Sequence, residues 1–215
     1  MKIHTILFDL DGVLVNSMPM WRNLSKNFLA RRHLTITPDV IAQMNTMSLY
    51  TACGFIKDTF RLEETIDAIY DDMQATVLYY YLNEVVPKPG AFETVHTYKD
   101  LGAKVLLTTA TDEAFVAPLL ERFEMSQVFD GIYTSEGVGI AKDLAAYYLK
   151  VAELEAFDPK EALVFDDSEF ALKAAHCAGM HTCCVKDPMN YSNYAAVGEF
   201  VDAMITSFEE WTPCR

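Results

Sequence analysis

The chain has 215 residues, of which 51% are apolar, 12% aromatic and 22% charged. That is enough to bury a core without disulfides or a structural metal, and it lies far from the charge-rich composition of disordered chains. Seventeen basic against 31 acidic residues leave a formal charge of −14, a field that repels a phosphate backbone and an anionic bilayer, so neither nucleic acid nor membrane is an expected partner.

Taken in chain order, Ile3 to Phe8 reads as a buried strand, and Asp9 and Asp11 interrupt the apolar run before it could act as a secretory h-region. From residue 17 to about 83 no strand pattern occurs. The segments Met18 to Arg32, Asp39 to Asn45, Ser48 to Phe60 and Leu62 to Leu82 read as helices, with Thr37-Pro38 and Pro87-Lys88-Pro89-Gly90 as breaks. Beyond them, the runs at 103–108, 131–134, 161–165 and 181–185 read as further strands. Helical periods lie between: Asp112 to Phe123, interrupted by Pro118; Leu144, Tyr147, Tyr148, Val151 and Ala152, capped by Asp143; and Phe170, Ala171, Ala174, Ala175 and Ala178, stopped by Gly179. Strand, helix, strand, helix predicts an α/β fold with a parallel sheet covered on both faces, interrupted after its first strand by a helical insertion. In such sheets ligands bind beyond the carboxyl ends of the strands.

Polar groups cluster at those predicted strand ends. Asp9 and Asp11 follow the first strand, Thr109 follows the second, Lys142 opens a helix after the Gly137/Gly139 turn, and Asp166-Asp167-Ser168 ends a fourth. Each has an ordinary reading: Thr109 as a helix cap, Lys142 as a surface charge, Asp167-Ser168 as an N-cap pair. Four complementary groups in one parallel sheet exceed what capping alone explains. The five cysteines, Cys53, Cys177, Cys183, Cys184 and Cys214, are odd in number and show no CxxC spacing, which reads as reduced thiols in a cytoplasmic protein. The scattered histidines show no metal spacing, and the aromatics Trp21, Phe28, Phe60 and Tyr79 to Tyr81 read as packing of the helical segment.

With these segments in view, the chain resembles the haloacid dehalogenase superfamily, in the branch of phosphoglycolate phosphatase and β-phosphoglucomutase. The resemblance rests on FDLDGVLVNS (8–17), GAKVLLTTAT (102–111), Lys142 with YLKVAELEAFDP (148–159), and LVFDDSEFALKAAHCAGM (163–180). It implies a Rossmann-like core over residues 1–16 and 84–215 and an α-helical cap over 17–83. It also implies a Mg²⁺-dependent phosphatase acting on a small phosphorylated metabolite through an aspartyl phosphate, as a monomer or weak homodimer. Asp9 would be the nucleophile and Asp11 the general acid and base. Thr109, seven positions beyond Gly102, would bind the phosphoryl group together with Ala110 and Lys142, and Asp9, Asp11, Asp166 and Asp167 would hold the metal.

Two positions depart from the family pattern: Asp143 follows the lysine where proline is usual, and Leu49 stands where phosphomutases of this branch carry a basic residue. The second departure disfavours a sugar phosphomutase, the alternative reading; a catalytically silent binding protein on the same fold is another. The chemistry asked of the site is severe, because uncatalysed phosphate-monoester hydrolysis needs acceleration of up to ~10²¹, far beyond what one hydrogen bond supplies.

Overall fold

The computed structural model describes residues 3–44, 47–190 and 193–213. Cys214 and the last residue of the expected 39–45 helix, Asn45, lie outside them. The chain divides into two compact units, one formed by Met1–Met18 with Val85–Arg215 and the other by Pro19–Glu84.

The first unit is built on six parallel strands: β1 (Thr5–Phe8), β2 (Lys104–Thr109), β3 (Gly131–Thr134), β4 (Ala162–Asp166), β5 (His181–Val185) and β6 (Ala203–Ile205), in the spatial order β3-β2-β1-β4-β5-β6. β1 and β4 are buried at every residue and β2 at all but its first, as strands covered on both faces must be. Neighbouring residues of β1 serve opposite faces. Leu7 joins Leu106, Val164, Tyr147, Tyr148, Val151 and Ala175 in one core cluster. Phe8, in register with Phe165, stacks on it at 5.0 Å, and the rings of Tyr98, Phe208 and Trp211 close around this pair. Fully burying such a side chain contributes about 1.5–3 kcal/mol.

The second unit contains helices only. Its elements are α1 (Met18–Ala30), α2 (Pro38–Met44), α3 (Leu49–Phe60) and α4 (Ile66–Asn83). Hydroxyl caps start two of them: Ser48 accepts the Thr51 N–H and Thr65 accepts the Ala68 N–H. Phe28, Ile56, Met73, Val77 and Tyr81 are fully buried here. The Trp21 indole donates to the Tyr81 hydroxyl at 3.1 Å, and the Arg32 guanidinium lies 3.7 Å over the Phe28 ring.

The helices flanking the sheet are α5 (Ala91–Asp100), α6 (Glu113–Arg122), α7 (Ser135–Val138), α8 (Ala145–Glu155), α9 (Glu169–Cys177) and α10 (Tyr194–Val197). Several expectations change in detail. The predicted 62–82 helix begins only at Ile66, because Arg61 adopts a left-handed conformation (φ 52°) that ends α3 and separates the two helices. Pro118 is accommodated inside α6. Leu144, not Asp143, occupies the N-cap position of α8 and is exposed, as is Phe170 on α9, so both fall off the apolar faces assigned to them. No helix among the described residues is long and apolar enough to cross a membrane.

Candidate active site

Three strands of the sheet end at one place. β1 delivers Asp9, whose N–H still pairs with the Phe165 carbonyl at 2.9 Å, one residue past the strand, so the carboxylate leaves from rigid backbone. The chain then turns sharply: Leu14 and Val15 N–H groups both bond the Leu10 carbonyl, and Gly12 takes φ +76°. Only glycine fits there. A Cβ at residue 12 would lie 2.2 Å from Asp167 Oδ2, on a backbone conformation that L-residues avoid.

β4 ends in Asp166 and continues to Asp167, and both are buried. Carboxylate oxygens of Asp9, Asp166 and Asp167 all lie within 4.8 Å of one another. Lys142 reaches this group from the segment between α7 and α8, three residues before α8 rather than opening it. Its Nζ stands 2.5 Å from Asp9 Oδ1 and 2.7 Å from Asp166 Oδ2, with only 5% of the side chain exposed. The surface-charge reading of Lys142 is thereby removed. The local cause is a tight pair of turns: Thr134 caps α7 through the Gly137 N–H, Gly139 ends it with positive φ, and the buried Tyr147 and Tyr148 anchor α8 behind it.

Thr109 ends β2 and is buried, and its Oγ1 accepts the Thr111 N–H at 3.1 Å. It is not the cap of α6, whose N-cap position is Asp112. Ala110, the next residue, is exposed. Asp11 stands outside the three-carboxylate group; its two oxygens accept hydrogen bonds from Ser17 Oγ at 2.5 Å and Thr111 Oγ1 at 2.6 Å. Sequence reasoning did not single out Ser17 or Thr111 as functional, although both lie inside the segments that carried the resemblance. Nor did it single out Lys88 and the buried Asp187, an ion pair at 2.8 Å beside the Gly12 turn; no local spacing announces a contact between residues so far apart in the chain.

The electrostatics are unbalanced. Burial pushes the Lys142 ammonium down, but the Asp166 and Asp9 carboxylates beside it outweigh that and hold it firmly charged. Burial holds the Asp9 carboxyl well above the usual carboxylate range against the pull of Lys142, and Asp166, Asp167 and Asp11 add to the rise. Burial and the neighbouring Asp166 push Asp167 up to about 8. One ammonium therefore faces a surplus of buried acid, which a cation in the same cleft would relieve. An all-oxygen donor set of this kind fits a hard divalent ion such as Mg²⁺.

In the helical unit, Leu49 lines a cavity of about 180 Å³ together with Trp21, Met44 and Met47, and Arg22 and Lys26 of α1 line it too. The missing basic residue at position 49 thus does not leave this cavity without cations.

Comparison with known proteins agrees with this arrangement. The family model described as haloacid dehalogenase-like hydrolase matches residues 6–185. The chain is 27% identical to phosphoglycolate phosphatase 1 of Pseudomonas aeruginosa over 97% of its own length and 78% of that protein. It is 20% identical to a phosphorylated carbohydrates phosphatase of Thermotoga maritima, covering 83% and 82% of the two chains. The solved structure of β-phosphoglucomutase from Clostridium difficile superimposes with a TM-score of 0.75 at 16% identity, covering 98% of this chain and 94% of that one. A match over most of the chain, on a six-stranded parallel sheet whose carboxyl ends gather these acids and this lysine, leaves one conclusion: the protein is an enzyme of the haloacid dehalogenase-like hydrolase family.

Proposed function

We propose that the protein hydrolyses a small phosphate monoester in two in-line displacements on Asp9, with Mg²⁺ as its cofactor. The observation that carries this reading is the Lys142 ammonium seated between Asp9 and Asp166, within a group of three carboxylates whose oxygens share one small volume. Asp9, Asp166 and Asp167 would hold the metal with the Asp11 carbonyl, and when bound it would draw charge from the phosphoryl oxygens and separate the carboxylates electrostatically.

In the first step an Asp9 oxygen bonds to phosphorus as the ester P–O bond breaks, and Asp11 gives its proton to the leaving oxygen. In the second, Asp11 takes a proton from the water that attacks the aspartyl phosphate, which frees Asp9 and inorganic phosphate. Ser17 and Thr111 fix the Asp11 carboxyl in one orientation through both steps. Lys142, the Thr109 hydroxyl and the Ala110 amide would bind the phosphoryl oxygens, and donors held ahead of the reaction stabilise developing charge without reorganisation. We further propose that the helical unit acts as the cap that selects the leaving group. The relatives named for phosphoglycolate and for phosphorylated carbohydrates support a small soluble substrate, and the free thiols of Cys53, Cys177, Cys183 and Cys184 support a cytoplasmic setting.

The test is turnover of a broad phosphate-monoester panel by wild type and Asp9→Asn, each with Mg²⁺ and with chelator. Hydrolysis by the wild type that needs Mg²⁺ and is lost in Asp9→Asn is expected; comparable rates for the two proteins would remove Asp9 as nucleophile. A phosphomutase remains the second reading because Arg22 and Lys26 line the cavity beside Leu49 and offer a place for a second phosphate. A requirement for a catalytic bisphosphate would favour it.

A further inference from the structure

Beside the turn that carries Asp11 lies a second lysine, with 12% of its side chain exposed, which the proposed chemistry does not use. Lys88 Nζ donates to the Gly12 carbonyl at 2.6 Å and pairs with Asp187 Oδ2 at 2.8 Å. Asp187 is 1% exposed. It is fixed on every side: its Oδ1 accepts the Met189 N–H at 2.8 Å, its own N–H reaches the Tyr194 hydroxyl at 2.9 Å, and that hydroxyl donates back to its carbonyl. Three residues on, the Asn190 amide donates to the Asp167 carbonyl at 2.7 Å. Gly12 packs so closely on Asp167 that no Cβ fits between them. The Lys88 backbone is held as well, its N–H bonding the Leu14 carbonyl at 2.9 Å. A closed circuit therefore runs from Lys88 through the Gly12 peptide to the Asp167 side chain, along the Asp167 backbone to Asn190, and back through Asp187 to Lys88.

We propose that the Lys88–Asp187 pair is a positioning brace for the metal side of the site: it clamps the peptide that follows Asp11 against the carboxylate of Asp167, so that both metal-holding elements keep one spacing. This rests on the Mg²⁺ reading above. A buried carboxylate paired with a lysine that keeps only 12% of its side chain exposed is an expensive way to hold a turn if stability alone were the purpose, since apolar replacements of similar volume are often as good or better. Groups that orient metal ligands from behind typically change metal affinity by about 10–100-fold when removed.

The test is calorimetric titration of the purified metal-free protein with MgCl₂, well below its melting temperature, alongside steady-state kinetics. In the charge-free pair Lys88→Met/Asp187→Asn, Mg²⁺ affinity falls by about 10–100-fold, and the Mg²⁺ concentration for half-maximal activity rises in parallel while the KM for substrate stays near the wild-type value. Lys88→Arg, which keeps the charge, recovers part of the loss. The two single variants separate a brace from a simple field: with a brace, both Lys88→Met and Asp187→Asn weaken Mg²⁺ binding, whereas a through-space effect would make Lys88→Met bind more tightly and Asp187→Asn less. Opposite signs, or a charge-free pair that melts cooperatively yet binds Mg²⁺ like wild type, would overturn the brace and leave the phosphatase reading intact. If the charge-free pair fails to melt cooperatively, the isosteric Asp187→Asn decides, and wild-type Mg²⁺ affinity there overturns the brace. A wild type that takes up no Mg²⁺ overturns both readings at once.

Discussion

The two ends of the parallel sheet both carry lysine–carboxylate pairs, at nearly the same distances, and they differ in burial. At the amino ends of the strands Lys104 meets Glu155 at 2.8 Å and Lys99 meets Asp130 at 2.6 Å, with a sixth to a third of each side chain exposed. At the carboxyl ends Lys142 lies between Asp9 and Asp166 with 5%, 9% and 1% exposed. The amino-end pairs balance their charges in partial contact with water and contribute modestly to stability. The carboxyl-end cluster carries more acid than base in a dry setting, an arrangement that costs stability and that the proposed chemistry would put to use. Charge balance and burial, not contact distance, separate the two ends of the sheet.

The largest expected break in this comparison comes from Lys142→Met, which should lower turnover on the order of 10²- to 10³-fold or more, the scale of losing one preorganised charge donor. Lys104→Met at the other end should leave turnover unchanged. Next, Asp167→Asn removes one acid from the surplus. Its metal-free form should be more stable than wild type by about 1–3 kcal/mol, while the rise in melting temperature on adding Mg²⁺ disappears. Glu155→Gln should instead cost under about 1 kcal/mol with the Mg²⁺ response intact. Thermal melts with and without Mg²⁺ measure both.

Gly12→Ala strains a left-handed turn and drives a methyl into the Asp167 carboxylate; a loss of about 1–3 kcal/mol in chemical denaturation, with weakened Mg²⁺ binding, is expected. The smallest effect is the pH dependence of the Lys99–Asp130 pair. Burial pushes Asp130 up, but the Lys99 ammonium and the Val105 N–H outweigh it and hold the carboxyl below its ordinary value. The folded form therefore binds fewer protons, so this stabilisation is present above the ordinary carboxylate pKa and lost as pH falls through the lower folded value. Asp130→Asn should flatten that part of the acid limb by well under about 1 kcal/mol, since both partners are about a third exposed.

Five strands were legible because burial on both faces, or a compact β-branched run, writes an apolar block into the sequence. β6 was not: three residues at the sheet edge, graded from half-buried through exposed to buried, leave no block. Apolar period was over-read at Leu144 and Phe170, where a large side chain adjoins a buried face without joining it. The break between α3 and α4 was hidden because a non-glycine residue, Arg61, takes the left-handed cap that glycine usually announces. At the site, Asp9, Asp11, Thr109, Asp166 and Asp167 could be picked out because strand ends mark them, Lys142 because it follows a glycine turn, and a family resemblance orders them all. Thr111, Lys88 and Asp187 work through partners distant in sequence, contacts that have no local signature, and Ser17 meets Asp11 six residues away only because the intervening turn folds back.

The point where the helical unit departs from the sheet unit has a consequence for how such a chain could arise. Val15 forms an antiparallel bridge to Pro87, the Asn16 N–H bonds the Val86 carbonyl, and the Lys88 N–H bonds the Leu14 carbonyl. The outgoing and returning segments are thus stitched together at a neck, and the long excursion between them is closed at its root. Whatever lies beyond that neck can lengthen, shorten or be exchanged at little entropic penalty to the sheet, since loop closure grows only logarithmically with length. If the proposed division of labour holds, lineages built on this scaffold are free to remodel the inserted helices while the sheet unit stands unchanged.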